Sequence, residues 1–159
     1  ISLAKQLPNA TVSVLDVSPA ALEIAQYNAQ QNAVQLTCIE ANVLEWENTA
    51  LQFDIIVSNP PYVRESEKER MAPNVLDHEP HLALFVDNDK PLVFYQAIVA
   101  LSKKALKKQG LLYFEINEYL GEDTKALLSS NDFEDVQLKT DIFGKNRMMC
   151  ASKRWCFVH

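Results

Sequence analysis

Short apolar runs alternate with amphipathic segments along this chain. Residues 11–17 form a mostly apolar, β-branched run with an acid near its carboxyl end, which predicts a strand. Ser18 and Pro19 follow as an N-cap and a first-turn proline, and apolar positions three or four residues apart predict a helix to about Asn32. This part of the sequence is therefore typical of a strand followed directly by a helix.

The same patterns predict further elements. A buried strand is expected over 53–58, where Asn59-Pro60-Pro61-Tyr62 ends it abruptly, and the polar stretch 63–90 is long enough for a functional loop. Alternating strands and helices predict a doubly wound α/β fold with a parallel sheet, whose last two strands pair as an antiparallel edge. The other predicted elements are helices at 1–6, from Pro91 to Gly110 and at 120–130, and strands at 35–40, 111–116, 133–138 and 147–152.

The helix that Pro91 opens has well-marked features. Its apolar positions step by four, three and four residues, and Gly110 is the expected end. Lysines fill its last turns and complement the helix dipole, which favours a solvated helix end over a nucleic-acid patch. The apolar positions are Phe94, Ile98, Leu101 and Ala105, and the lysines are Lys103, Lys104, Lys107 and Lys108.

Composition narrows the possible partners. The 159 residues suffice for one domain, and the net charge of −6 has the wrong sign for a protein that binds nucleic-acid phosphates. The cysteines are odd in number (Cys38, Cys150 and Cys156), which favours reduced thiols and a cytoplasmic location over a disulfide framework. No apolar stretch approaches the roughly 18 residues of a membrane span. Neither nucleic acid nor membrane is therefore an expected partner.

Glycine is unusually scarce. A usual frequency of about 7% would give about eleven glycines in a chain of this length, but there are three, and the first is Gly110. The first two-thirds of the chain therefore contains no glycine-rich loop for a phosphate or a dinucleotide. Because the chain also begins at Ile1, inside a predicted helix, we expect it to be a piece of a longer protein.

Asn59-Pro60-Pro61-Tyr62 carries the strongest chemical signal. Consecutive prolines lack an N–H and fix φ, so the carbonyls of Asn59 and Pro60 are expected to remain available as acceptors beside the Asn59 side chain. Tyr62 adds a flat face with a polar tip. Such a pocket suits a planar NH2 group that attacks an electrophile, because fixed acceptors stabilise the positive charge developing on its nitrogen. The alternative is a structural Pro-Pro turn.

Three residues near the ends of the first strands are candidates for binding a nucleoside. Ligands of doubly wound sheets lie beyond the carboxyl ends of the strands, where Asp16 could accept both hydroxyls of a ribose. Asn42 could hydrogen-bond an adenine edge, with Val43 supplying a backbone or apolar contact. A solvated turn acid and a loop asparagine are the competing interpretations.

Two other groups of polar residues are not expected to take part in metal binding or acid-base chemistry. The segment Asp77-His78-Glu79-Pro80-His81 has the composition of a metal site, but Pro80 prevents the helix that would bring its histidines together, so no metal is expected. Glu115 and Glu118, at a predicted strand end, are interpreted as rim residues, because the chemistry described above requires no acid or base.

Three segments carry a combined motif: Leu15-Asp16-Val17-Ser18-Pro19-Ala20-Ala21-Leu22, Phe53-Asp54-Ile55-Ile56-Val57-Ser58-Asn59-Pro60-Pro61-Tyr62-Val63 and His78-Glu79-Pro80-His81-Leu82-Ala83-Leu84. Together they resemble the HemK/PrmC family, the release-factor glutamine methyltransferases. The resemblance implies a Rossmann-like methyltransferase sheet, S-adenosylmethionine as methyl donor and a glutamine amide of a peptide chain release factor as acceptor. It covers residues 1–154 as a catalytic domain and leaves 155–159 as a tail.

The resemblance also implies a role for each candidate residue. Asp16 would hold the ribose, and Asn42 and Val43 the adenine side of the cofactor. Asn59, assigned to both the cofactor and the substrate, would orient the amide together with the Pro60 carbonyl. Pro61 and Tyr62 would complete the amide pocket, with Tyr62 packing against the amide, and Glu79 and Pro80 would shape the substrate mouth.

Two departures from the family pattern matter. The family usually has Asp where this chain has Asn42, and its first strand and glycine-rich loop would lie before Ile1, as would a preceding helical domain. Two alternative functions follow from the residues. One is an adenine amino-methyltransferase acting on DNA or rRNA, disfavoured by the net charge of −6 and by Glu79-Pro80. The other is a binding module without cofactor.

Overall fold

The structure, a computed structural model, describes residues 1–46, 50–64, 85–87 and 89–154. These residues belong to two units, Ile1–Glu47 and Asn48–His159. Within the described ranges, no helix is both long enough and apolar enough to cross a membrane.

The first unit consists of a short helix, a β-α-β segment and one turn of 3-10 helix. Its elements are α1 (Ser2–Gln6), β1 (Ser13–Asp16), α2 (Pro19–Gln31), β2 (Thr37–Glu40) and the 3-10 helix Val43–Glu45. β1 and β2 are parallel, with Asp16 opposite Glu40, so both strands end at the same edge.

The start of α2 confirms the prediction from Ser18 and Pro19. The Ser18 hydroxyl accepts a hydrogen bond of 3.3 Å from the Ala21 N–H, and Pro19 occupies the first helical position. Leu22 and Ala29, which belong to the apolar face of this helix, are buried. Local capping and apolar spacing therefore sufficed to define this helix.

The second unit is built on a four-stranded mixed sheet. Its elements are β3 (Phe53–Ser58), β4 (Val63–Arg64), β5 (Phe85–Val86), α3 (Val93–Ala105), β6 (Leu106–Glu115), the 3-10 helix Glu118–Leu120, α4 (Gly121–Ser129), β7 (Phe133–Thr140) and β8 (Asn146–Lys153). The strand order is β3-β6-β8-β7, and β4 pairs separately with β5. β3 runs parallel to β6, whereas β8 is antiparallel to both β6 and β7. The predicted α/β class, mostly parallel with an antiparallel edge, is confirmed.

One face of this sheet and the two long helices supply the core of the second unit. Leu112 and Phe114 of β6 and Met149 of β8 are at most 2% exposed. Tyr95 of α3 and Leu128 of α4 are completely buried. The buried stripe of α3 includes the predicted Ile98 and Ala105 but is rotated toward Tyr95, Val99 and Ser102, with Phe94 and Leu101 only half-buried.

The predicted end of α3 is wrong. The helix ends at Ala105, and Lys107, Lys108 and Gly110 belong to β6. Leu106 is 1% exposed and pairs with Phe53, because burying this leucine beside β3 outweighs continuing the helix. Lys107 forms an ion pair of 2.9 Å with Asp54 across the two strands.

The predicted burial of β3 is also wrong in part. Ile55 is 48% exposed and Val57 58% exposed, although the strand has the predicted bounds. Alternate residues of a strand point to the same face, so no described element of the second unit covers that face of β3. An apolar run alone does not reveal which face is covered.

The cysteines described by the structure are unpaired. Cys38 in the first unit and Cys150 in the second are half-buried and form no disulfide. Cys156 lies outside the described residues.

Gly110 lies where β6 bulges away from β3. Phe53 pairs with Leu106 but Ile55 pairs with Leu111, so residues 107–110 form an irregularity that includes Gln109 at a φ of 59°. A Cβ on Gly110 would lie 3.0 Å from the Lys107 carbonyl oxygen and 3.1 Å from that of Asp54. Main-chain atoms of paired strands cannot easily move aside, so a side chain at this position would force a small shift of the two strands.

We expect Gly110→Ala to destabilise the protein by about 1–3 kcal/mol because of this overpacking. The matched control is Gly121→Ala in α4, where the Cβ would meet the side-chain ends of Asn146 at 3.0 Å and Leu138 at 3.1 Å. Those groups can rotate, and Gly121 has helical backbone angles that alanine adopts without strain. Urea unfolding followed by circular dichroism measures both variants, and equal losses would contradict the close approach at Gly110.

Candidate functional site

The segment Asn59-Pro60-Pro61-Tyr62 leaves the carboxyl end of β3 beside the end of β6. The parallel register pairs Ser58 with Phe114, so Asn59 and Glu115 follow at the same edge. The Asn59 side chain is exposed and makes no hydrogen bond within the described residues, while Pro60 is buried. The Pro60 carbonyl accepts no hydrogen bond from them either. Neither acceptor therefore has a donor among the described residues.

Tyr62 is held by residues at the end of β6. Its hydroxyl donates a hydrogen bond of 2.9 Å to Glu115 Oε1, and its carbonyl oxygen accepts one of 3.2 Å from Asn117 Nδ2. Asn117 is 6% exposed, and its Oδ1 accepts a hydrogen bond of 3.0 Å from the Tyr119 N–H. The buried amide therefore joins Tyr62 to the 3-10 helix that follows β6.

Glu115 is itself fixed by surrounding side chains. The Tyr95 hydroxyl donates a hydrogen bond of 3.2 Å to the Glu115 carbonyl oxygen, and the Tyr95 ring meets Phe114 edge to face at 5.2 Å. Arg147 Nη1 lies 4.0 Å from Glu115 Oε1, and Arg147 Nε lies 3.7 Å from Asp141 Oδ2. Main-chain and side-chain contacts thus restrain the acid that accepts the hydrogen bond from the Tyr62 hydroxyl.

Both tyrosines near this strand end remain protonated. Burial raises the pKa of Tyr62 above 10.0, and the hydrogen bond to Glu115 raises it further because ionisation would place two negative charges together. Burial also raises the pKa of Tyr95. Each hydroxyl is therefore a hydrogen-bond donor at neutral pH.

Asp16 lies at the end of β1 in the first unit. Its Oδ1 accepts a hydrogen bond of 2.8 Å from the Ser18 N–H, which orients the carboxylate at the start of α2. Its Oδ2 has no hydrogen bond within the described residues. A fixed carboxylate with an available oxygen fits the chemistry of a ribose diol.

Asn42 and Val43 follow the end of β2 in the same unit. Asn42 Oδ1 accepts a hydrogen bond of 3.0 Å from the Leu44 N–H and caps the 3-10 helix that Val43 begins. Val43 is half-buried. The asparagine therefore has a capping role, and its side-chain nitrogen makes no hydrogen bond within the described ranges.

The predicted site residues divide between the two units. Asp16, Asn42 and Val43 belong to the first, and Asn59 to Tyr62 belong to the second. Glu79 and the rest of the Asp77–His81 segment lie outside the described residues. Among the residues that are described, no group of three or more His, Cys, Asp or Glu side chains could hold a metal ion.

Sequence reasoning missed the importance of Glu115 and Asn117. Glu115 was expected to be a rim residue, yet it accepts the Tyr62 hydroxyl proton in a hydrogen bond, whereas Glu118 pairs with Lys145 at 3.1 Å. The available signal was the parallel pairing of two strands, one ending before Asn59 and the other in an acid. That pairing brings both strand ends together.

Comparison with known proteins identifies the family. The sequence profile of the methyltransferase small domain matches residues 1–82. The chain belongs to the methyltransferase small domain family. A release factor glutamine methyltransferase of Flavobacterium psychrophilum is 53% identical to this family member over 154 residues, which make up 97% of the chain and 54% of that relative. The predicted resemblance to such enzymes is therefore confirmed, although the chain spans about half the length of the curated relatives it matches.

Solved structures show that this family member has a methyltransferase fold. A methyltransferase from Pyrococcus furiosus has a TM-score of 0.67 at 15% identity, with 97% of this chain and 68% of that one covered. The 16S rRNA N2 G1207 methyltransferase of Thermus thermophilus, solved with AdoMet and guanosine, has a TM-score of 0.63 at 21% identity, with 91% of this chain and 32% of that one covered.

Proposed function

We propose that the protein transfers the methyl group of S-adenosylmethionine to the side-chain amide nitrogen of a glutamine in a peptide chain release factor. One observation carries the proposal. The available acceptors of Asn59 and Pro60 lie at a strand end of a chain that is 53% identical to a release factor glutamine methyltransferase. Residues 1–154 would form the catalytic domain and 155–159 a tail, in a cytoplasmic protein that binds neither nucleic acid nor membrane.

Asn59 and Pro60 supply the acceptors for the glutamine amide. A primary amide has two N–H hydrogens, one for the Asn59 side-chain oxygen and one for the Pro60 carbonyl, which directs the nitrogen toward the methyl group. Pro61 has no N–H and a fixed φ, which restricts the backbone that carries the Pro60 carbonyl. As the nitrogen attacks, its hydrogens become more positive, and the two acceptors bind them more strongly than in the ground state.

Tyr62 packs against the bound amide and limits its rotation. The phenol is neutral and its hydroxyl donates a hydrogen bond of 2.9 Å to Glu115, so Tyr62 does not act as a base. No base is required before attack. The amide nitrogen gains its bond to the methyl carbon as the bond between that carbon and the cofactor sulfur breaks, and the cationic nitrogen then releases one N–H proton to solvent water. Glu79 would contribute to the substrate mouth.

Asp16, Asn42 and Val43 supply the nucleoside side of the cofactor site. Asp16 would accept the ribose hydroxyls with Oδ2 while Oδ1 stays on the Ser18 N–H. Asn42 would donate from its side-chain nitrogen to the adenine, and Val43 would contact the ring. When bound, the cofactor supplies an electrophilic methyl group on a positively charged sulfur.

The activity is tested with the natural full-length protein and cofactor carrying a tritiated methyl group. We expect label in purified release factor and a methylated glutamine in its peptide map. Label in DNA or rRNA, with none in release factor, would instead establish the adenine amino-methyltransferase. Calorimetric titration with S-adenosylhomocysteine tests the third alternative, since the absence of heat at high ligand concentration favours a binding module.

We expect Asn59→Ala to lower kcat about 100-fold or more, the usual effect of losing one preorganised partner of the developing charge. The stability should change little because the side chain is exposed and makes no hydrogen bond within the described residues. Asn28→Ala, at an exposed position of α2, is the matched control with wild-type kcat. Unchanged methyl incorporation with Asn59→Ala would remove Asn59 from the mechanism.

We expect Asp16→Asn to raise the KM for S-adenosylmethionine about 10- to 100-fold, as for the loss of a hydrogen bond to a charged group worth about 1.5–3 kcal/mol. The substitution keeps an oxygen for the Ser18 N–H, so the start of α2 is preserved. The KM for release factor should stay within about twofold. A change confined to the KM for release factor would contradict the assignment of Asp16 to the cofactor.

A further inference from the structure

The structure restrains Tyr62 at two separate atoms. Glu115 Oε1 accepts from the phenol oxygen at 2.9 Å, at the far end of the side chain. Asn117 Nδ2 donates to the carbonyl oxygen at 3.2 Å, on the main chain. One bond opposes rotation about Cα–Cβ, and the other opposes movement of the backbone that follows the two prolines.

The residues that provide these restraints have further contacts of their own. Asn117 is 6% exposed and also caps the 3-10 helix Glu118–Leu120 through the Tyr119 N–H at 3.0 Å. The Glu115 main chain is held by the completely buried Tyr95 at 3.2 Å, and its carboxylate lies 4.0 Å from Arg147. A restraint is useful only when its other end is itself held, and each partner has at least one further contact that holds it.

We infer that Glu115 and Asn117 are positioning residues for the methyl-acceptor pocket and that both act through Tyr62. This inference rests on the proposed function, in which Tyr62 limits the rotation of the substrate amide. Displacements of about 1 Å in residues that orient reactants cost as much as 100-fold in rate. Loss of either restraint therefore reduces kcat more than it reduces cofactor binding.

The experiment on Glu115 is a double-mutant cycle in the natural full-length protein. Glu115→Leu removes the acceptor, Glu115→Gln keeps one, and Tyr62→Phe removes the donor. We expect Glu115→Leu and Tyr62→Phe each to lower kcat about 10-fold, with the KM for S-adenosylmethionine within about twofold. The double variant should be no slower than either single variant, and Glu115→Gln should stay within about threefold of wild type.

Two controls separate positioning from general damage to the fold. Glu118→Leu removes a neighbouring acid whose partner is Lys145 at 3.1 Å, and it should keep wild-type kcat. Crystal structures of the Glu115 variants should show the Tyr62 ring displaced in Glu115→Leu and in place in Glu115→Gln. Additive losses in the cycle, or a Tyr62 ring that stays in place in Glu115→Leu, would overturn the role of Glu115.

Failure of the proposed function gives a different result. If the wild-type protein transfers no methyl group to release factor, the assigned substrate is wrong. The crystal structures still decide whether Glu115 positions Tyr62, because they require no substrate.

Asn117→Asp tests the second restraint. The aspartate keeps an oxygen for the Tyr119 N–H and loses the donor to the Tyr62 carbonyl, so helix capping is preserved. At a temperature well below the unfolding midpoint of the variant, we expect about a 10-fold lower kcat and an unchanged KM for S-adenosylmethionine. The midpoint itself should fall, because the 6% exposed side chain then faces the Tyr62 carbonyl oxygen without a donor. A wild-type kcat, or equal losses of kcat and of cofactor binding, would show that Asn117 has only a structural role.

Discussion

The parallel pairing of β3 with β6 is the constraint on which the candidate acceptor pocket depends. With Ser58 opposite Phe114, the chain that leaves β3 and the chain that leaves β6 emerge side by side. Asn59 and Glu115 are distant in sequence, but this register makes them neighbours. Tyr62 can then reach Glu115 and Asn117 without a long connection. A register shift of one residue would exchange the faces of the strand and remove this arrangement.

In the candidate pocket, some groups are available to a ligand, and other groups hold the first ones in place. The Asn59 side chain is exposed, and the Pro60 carbonyl accepts no hydrogen bond from the described residues. Tyr95 and Asn117 are buried, and their side chains form hydrogen bonds within the protein. Preorganised acceptors need such support, because reorienting them during the reaction would cost free energy. The support also satisfies polar atoms that would otherwise be buried without partners.

The sequence predicted those features that depend on local chemistry. Ser18 and Pro19 define the start of α2 through a cap and a fixed φ, and the end of β3 at Ser58 follows from the two prolines after Asn59. Features set by contacts between distant segments were missed. Leu106 leaves the helical pattern because it pairs with Phe53, and Glu115 gains its role from Tyr62, which is 53 residues away. Neither contact has a signature in the residues around it.

The irregularity at residues 107–110 has a consequence for how the two strand ends are kept in alignment. Phe53 of β3 pairs with Leu106 of β6, and the next pair is Ile55 with Leu111. From the first pair to the second, β3 advances by two residues and β6 by five. The three additional residues are accommodated at the amino end of the strand pair, with Gly110 permitting the close approach. Beyond them the register is regular as far as Ser58. The bulge thus absorbs the additional residues of β6. The length of the connection from α3 therefore does not determine how the carboxyl ends of β3 and β6 are aligned at the pocket.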